Sequence, residues 1–230
     1  MISPDFAVGR VLLFDKPYQW TSFDLVNSVR YTLRNFTGIK KIKVGHAGTL
    51  DPLATGLLIV CTGRMTRSIE EFQALEKEYT GTFVLGATTP TYDLESEPGN
   101  FRDTSFLNEQ DLIRASTQFT GDILQTPPLF SAIKIEGKRA YEYAREKEEI
   151  TIAAKPVFIR SFEITSWDGS KADFRVVCSK GTYIRSLARD FGDILGCGAY
   201  LGSLRRTRIG DFSVENALQI EAFKAEFSGR

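Results

Sequence analysis

The sequence predicts an α+β fold built on a mixed, largely antiparallel sheet flanked by helices and loops. Three observations carry this. Strand-like and helix-like segments interleave without the regular spacing of βαβ units, and neighbouring strand segments are close enough to be joined as hairpins. The chain of 230 residues, 42% of them hydrophobic, is long enough to bury a substantial core.

Val11 to Asp15 reads as a buried strand that ends at the turn "DKP". "TSFDLVNSVRYTLRNF" then reads as a helix. Thr21 and Asp24 have capping-box spacing, and Phe23, Val26, Val29 and Leu33 fall near one face. A glycine-punctuated loop, "VGHAGTLDPLATG" (44–56), leads into a short apolar strand, "LLIVC" (57–61). "TRSIEEFQALE" is helical with Ile69, Phe72 and Leu75 on one stripe, and "EYTGTFVLG" (78–86) alternates as a strand does. Residues 87–104 are polar and turn-rich, and read as the mobile loop of the first half. "NEQDLIRASTQFTG" is a helix closed by Gly121. The Pro-Pro break, basic residues and tyrosines of "QTPPLFSAIKIEGKRAYEYAREKEE" mark an excursion from the sheet. Two strands follow, around Val157–Trp167 and Ala172–Cys178, joined by "DGSK". "GTYIRSLARDFGDILG" is a helix with Ile184, Leu187, Phe191 and Ile194 inward, stopped by Gly196 and Gly198. A last strand containing "RRTRIG" leads to a short C-terminal helix.

Composition narrows the function classes. Charged residues make up 25%, the formal net charge is zero and the isoelectric point is near 6.6, which argues against nonspecific coating of nucleic acid. A local basic face is still compatible with this balance, and four groups could form one. They are "KKIK" (40–43), Arg64 with Arg67, Lys134 with Lys138 and Arg139, and "RRTR" (205–208). Cys61, Cys178 and Cys197 are scattered and odd in number, as expected of reduced thiols in a cytoplasmic protein. No signal peptide pattern opens the chain. No P-loop, dinucleotide fingerprint, zinc set or calcium loop is present, so the chain is expected to need neither metal nor organic cofactor.

The single histidine, His46, stands five residues before Asp51-Pro52. Asp followed by Pro suits the N-cap and first position of a helix. The competing reading is a reactive carboxylate on a rigid loop. Tyr79, after a charged pair in "EKEYTG", and Arg185, in "CSKGTYIRSLARD", would complete an RNA-modifying pocket with Asp51.

These segments carry a resemblance. "GHAGTLDPLATGLL" resembles the signature loop of the pseudouridine synthases, and "SKGTYIR" their second motif. "LLFDKPYQWTSFD", "PPLFSAIKIEGKRAYEYAR" and "GCGAYLGSLRR" resemble, in order from about residue 10 to 210, the bacterial branch acting on uridine 55 in the T loop of tRNA. The resemblance implies a pseudouridine synthase fold and an isomerase that needs no cofactor. Such an enzyme breaks the bond from ribose C1′ to uracil N1, turns the base and joins C1′ to C5. Asp51 matches the catalytic aspartate, acting as nucleophile or as a carboxylate that promotes cleavage. Arg185 matches the arginine that pairs with it, and Tyr79 the active-site tyrosine that stacks on the base. His46 matches a histidine that fills the space vacated by the extruded uridine.

Lys16 and Pro17 match a "KP" that supports the catalytic loop, and Leu204 an apolar residue near the base. Asp93 aligns with an acidic substrate-network residue, although the family's "T-D-T-x-D" run is here "TTPTYD". The thumb-like insertion near 124–150 is expected to meet phosphates through Lys134, Lys138 and Arg139. One catalytic domain over 1–230 is expected. Only about 20 residues follow "RRTRIG", too few for the family's appended C-terminal RNA-binding domain. The implied partner is the T-arm stem-loop of tRNA, met by a monomer.

Overall fold

The computed structural model describes residues 6–131, 134–135, 138–139, 143 and 150–227. In chain order the elements are β1 (Val11–Lys16), α1 (Ser22–Thr37), β2 (Val44–His46), β3 (Ala54–Thr62), α2 (Ile69–Ala74) and β4 (Lys77–Leu85). They continue with α3 (Glu109–Thr117), β5 (Gly121–Gln125), β6 (Lys134–Ile135), β7 (Lys138–Arg139), β8 (Lys155–Trp167) and β9 (Lys171–Cys178). The chain closes with α4 (Ile184–Ile194), β10 (Ala199–Ile209), β11 (Phe212–Ser213) and α5 (Ile220–Phe227). Two compact units result, one from residues 1–79 and 204–230 and the other from 80–203, so that β4 and β10 are each divided between them.

In the first unit β3 lies between β1, antiparallel to it, and β10, parallel to it. β2 pairs with the far end of β3, and β11 with the end of β10. The apolar run in β3 has a simple cause, because both faces of the strand are covered. Leu58 and Val60 join α1 and α5 in a core with Phe14, Leu25, Val29, Leu33 and Phe223. Leu57, Ile59 and Cys61 point the other way, into a second core with Ile209, against which Ile69, Phe72 and Leu75 pack.

Helix α1 starts where its sequence says it should. Thr21 accepts from the Asp24 N–H, the Asp24 carboxylate accepts from the Thr21 N–H, and Gly38 ends the helix in a left-handed turn. Its buried stripe is Leu25, Val26, Val29 and Leu33, whereas Phe23 is 61% exposed. Phe23 lies about 200° from Leu25 at 100° per residue, so it cannot share the face that Leu25, Val29 and Leu33 define.

The second unit carries the order β4-β9-β8-β5, with β8 antiparallel to both β9 and β5. Strand β5 is absent from the sequence reading, which extended the preceding helix to Gly121. In the structure α3 ends at Thr117, and Gly121, with φ +98°, opens β5. Phe83, Phe162, Phe174 and Phe191 meet in one aromatic cluster. On α4, Ile184, Leu187 and Phe191 are buried as expected, but Ile194 is exposed. At that last turn the buried place passes to Leu195.

The 87–104 loop, expected to be mobile, is tied down. Thr88 and Gly99 exchange backbone hydrogen bonds of 2.9 Å, Leu201 N–H donates to Tyr92 O at 2.9 Å, and Thr89, Thr91 and Asp93 are buried. Of the thumb-like segment, β6 and β7 pair antiparallel, Lys134 opposite Arg139 and Ile135 opposite Lys138. Residues 132–133, 136–137, 140–142 and 144–149 of that segment lie outside the described residues.

Candidate active site

In the first unit the site is built on the loop between β2 and β3. The capped-helix reading of Asp51-Pro52 fails here: the chain makes one turn, with Ala54 N–H donating to Asp51 O at 3.1 Å, and enters β3. Gly48 adopts φ +96°, a conformation other residues rarely take, and lets the loop turn away from β2. The next residues are held one by one. Leu50 N–H donates to Ser22 Oγ at 2.8 Å, and that hydroxyl donates back to Leu50 O at 3.1 Å. Pro52 O accepts from Gln19 N–H at 2.9 Å and from Lys16 Nζ at 3.4 Å. The side chain of Asp51 therefore projects from a backbone with little freedom.

Lys16 is fully buried and binds the carbonyls of Pro17 at 2.9 Å and Trp20 at 2.5 Å besides that of Pro52. It thereby joins the "KPYQW" turn to the Asp51 loop. Burial pushes the Lys16 ammonium down to about 8, the Asp51 carboxylate opposes that fall, and the Arg206 cation adds to it. His46 closes β2, with Val60 opposite it. Its Nδ1 makes no hydrogen bond among the described residues. Burial lowers its pKa, the Arg206 charge lowers it further, and the Gly48 backbone works the other way. At neutral pH the imidazole is uncharged.

Tyr79 is buried in β4. Leu204 is half-buried in β10 and pairs with Ala54, three residues beyond Asp51.

In the second unit Arg185 occupies the first turn of α4 and is 6% exposed. It donates to Phe130 O at 3.0 Å and Thr91 O at 3.3 Å, and its Nε lies 3.5 Å from the Asp93 carboxylate. Asp93 thus meets Arg185 despite the departure of "TTPTYD" from the family's run. The Asp93 carboxylate also accepts from Glu95 N–H. The turn before α4 is fixed by Gln125, whose side chain exchanges hydrogen bonds with the Tyr183 backbone at 2.8 and 3.1 Å. Tyr92, at φ +62°, lies under the Arg189 guanidinium, 5.0 Å from ring centroid to Cζ.

The basic groups divide. Lys41, Lys43, Arg64 and Arg67 line one cleft with Ile39 and Ile42, so two of the four groups meet. "RRTR" is not a basic surface. Arg205 makes a two-pronged pair with Asp15 at 2.7 and 3.0 Å, Arg208 pairs with Glu76 and Glu78, and Arg206 is fully buried. Of Lys134, Lys138 and Arg139 the structure describes the strand pairing only.

Ser22, Gln125 and Arg206 were missed from sequence. Ser22 does stand within "LLFDKPYQWTSFD", and Arg206 within "RRTR".

Comparison with known proteins places the chain in a family. The profile described as TruB family pseudouridylate synthase (N terminal domain) matches residues 34–184. A second, described as tRNA pseudouridylate synthase B C-terminal domain, matches 185–228. The tRNA pseudouridine synthase B of Flavobacterium johnsoniae is 53% identical over 97% of this chain and 98% of its own. That of Parabacteroides distasonis is 52% identical over 94% and 92%. Among solved structures, a chain of a Cbf5-Nop10-Gar1 complex superposes with a TM-score of 0.71 at 28% identity, over 96% of this chain and 54% of that one. The present chain thus spans about half of that structure's length. The chain belongs to the TruB family of pseudouridylate synthases, enzymes that isomerise uridine to pseudouridine in RNA. Among the described residues no helix is long and apolar enough to cross a membrane.

Proposed function

We propose that the protein is a cytoplasmic, monomeric tRNA pseudouridine synthase acting on uridine 55 of the T loop, with Asp51 as its catalytic carboxylate. The observation that carries this reading is the Asp51 loop itself, a carboxylate on backbone held on both sides by Ser22, Gln19 and Lys16. Reactions that depend on attack at a defined carbon need such preorganisation.

The target uridine must leave its stack to be reached. His46, uncharged at neutral pH, takes the vacated place as a stacking ring. Tyr79 supports the extruded uracil from one face, and Leu204 supplies apolar packing beside it. Asp51 acts at C1′ as the bond to N1 breaks. The base turns, C5 bonds to C1′, and the C5 proton leaves to solvent while N1 gains one. Atoms and electrons balance without a redox partner. Arg185, held by Asp93 and by the Thr91 and Phe130 carbonyls, is the cation proposed to pair with the reacting carboxylate. Lys41, Lys43, Arg64 and Arg67, with Lys134, Lys138 and Arg139 of the thumb-like segment, contact phosphates.

The test is tritium release from tRNA transcript labelled at uridine C5. Wild-type protein is expected to release tritium from the T loop and Asp51→Asn to release none while still binding tRNA. Equal release from both variants would refute the role of Asp51. Binding without release by wild type would point to a tRNA-folding module instead. A T-arm minihelix is expected to serve nearly as well as full tRNA, with affinity falling as salt rises. A minihelix that is a far poorer substrate would overturn the T-arm reading.

A further inference from the structure

Three arginines within four positions of β10 place their cationic side chains differently. Arg205 and Arg208 have carboxylate partners. Arg206 is 1% exposed, and among the described residues no carboxylate lies within ion-pair distance of it. Its partners are backbone carbonyls: Nε donates to Leu57 O at 2.8 Å, Nη2 to Gly48 O at 3.1 Å and Nη1 to Thr49 O at 3.5 Å. Taking a guanidinium out of water without a counter-ion is costly, and arginine cannot shed its charge to escape that cost. A site that retains one therefore gains something specific from it.

The gain is visible in what is held. Gly48 and Thr49, which open the loop, are bonded by none of Ser22, Gln19 and Lys16. With Arg206 included, and with the Ala54 bond to Asp51 O, every carbonyl from Gly48 to Pro52 has a donor. The planar guanidinium bridges the start of the loop to Leu57, beyond its end, so one rigid group spans the segment that carries Asp51. The backbone of Arg206 is equally fixed. It pairs with Gly56, and a Cβ at Gly56 would stand 2.3 Å from Arg206 O.

We infer that Arg206 is the positioning residue of the Asp51 loop, setting the place of the carboxylate against the uridine through the Gly48 and Thr49 carbonyls. This inference rests on the isomerase reading above. Its charge also reaches the two residues that flank the carboxylate in function, since it lowers the pKa of both His46 and Lys16.

The test uses tag-free full-length protein as wild type, Asp51→Asn, Arg206→Met and Arg206→Lys. Single-turnover tritium release and tRNA binding are measured, and the imidazole is titrated by NMR. His46 is the one histidine of the chain, so its signal needs no assignment. Arg206→Met is expected to lose about 100-fold in single-turnover rate while tRNA affinity stays within about threefold of wild type. Arg206→Lys keeps the charge but cannot bridge three carbonyls, so its rate falls at least about tenfold. The His46 titration midpoint rises in Arg206→Met and not in Arg206→Lys, a change that a general loosening of the fold would not divide in this way.

Folded Arg206→Met with wild-type rate overturns the inference, and so does equal loss of rate and binding. If Arg206→Met does not fold, Arg206→Lys decides, and an undiminished rate there refutes positioning. No release from wild type would fell the isomerase reading, and the inference with it. Release by wild type and undiminished Arg206→Met together would fell the inference alone.

Discussion

Replacing Ser22 by alanine tests the held loop at its simplest point. The hydroxyl is buried and serves both backbone groups of Leu50, which is itself buried. Its removal leaves one N–H and one C=O without partners in a dry place. Each such group costs about 1–3 kcal/mol, and the two are adjacent and can relax together, so the combined loss is about 2–4 kcal/mol. For a chain of this size each kcal/mol moves the melting temperature by about 2–4 °C, which gives a fall of roughly 4–16 °C. Ser203→Ala is the matched control. Ser203 is exposed and its hydroxyl meets only that of Thr82, so its loss stays within about 0.5 kcal/mol. Denaturant unfolding gives both values side by side, and single-turnover tritium release gives the functional counterpart. Ser22→Ala is expected to react more slowly at unchanged tRNA affinity. A stability loss no larger than that of Ser203→Ala, with an undiminished rate, would refute the account of a loop held residue by residue.

Three further outcomes follow from the same geometry. Lys16 loses its proton as pH rises through about 8, well below the ordinary 10.5, so the wild-type rate should fall on the alkaline side. Lys16→Arg, which stays charged, should move that limb upward, and an unmoved limb would exclude Lys16 as its source. Between about 8 and 10.5 the unfolded chain binds the Lys16 proton and the folded chain does not, so this group's contribution to stability rises with pH across that window. Gly56→Ala combines φ +104° with a methyl 2.3 Å from Arg206 O and should cost more than about 2 kcal/mol. Gly38→Ala, at φ +72° in open space, should cost about 1 kcal/mol; equal losses in denaturant titration would remove the steric part of the argument. Finally, Arg189 over Tyr92 should show a coupling of about 0.5–2 kcal/mol in a double-mutant cycle of Arg189→Met with Tyr92→Leu. Strict additivity would show that the two do not act together on the turn before Asp93.

What was legible in the sequence was local or contiguous. The Thr21–Asp24 capping box spans one turn of helix, and its two hydrogen bonds form between neighbours whatever the rest of the chain does. The β3 run and the Tyr79 strand announce themselves by residue type and alternation over a few positions. Asp51, His46 and Arg185 stood out because each sits within a continuous motif. Errors clustered at element ends and at faces. Phe23 and Ile194 were assigned inward from periodicity, which gives the phase of a helix but not what is packed against its first and last turns. The extension of α3 to Gly121 missed that a glycine with positive φ can begin a strand as readily as it ends a helix.

The sequence by itself thus determined the class of fold, the order of the motifs and the carboxylate on which the chemistry is proposed to rest. Only the tertiary structure decided which of the many arginines is a support and which a surface. Arg206 looked like one of a run of exposed cations, yet its partners Leu57 and Gly48 lie 149 and 158 positions away along the chain. The physical reason is range. Caps, turns and alternation are written by neighbours a few residues apart, whereas the burial of a charge depends on which distant carbonyls the folded chain brings to it, and nothing in the local sequence records that.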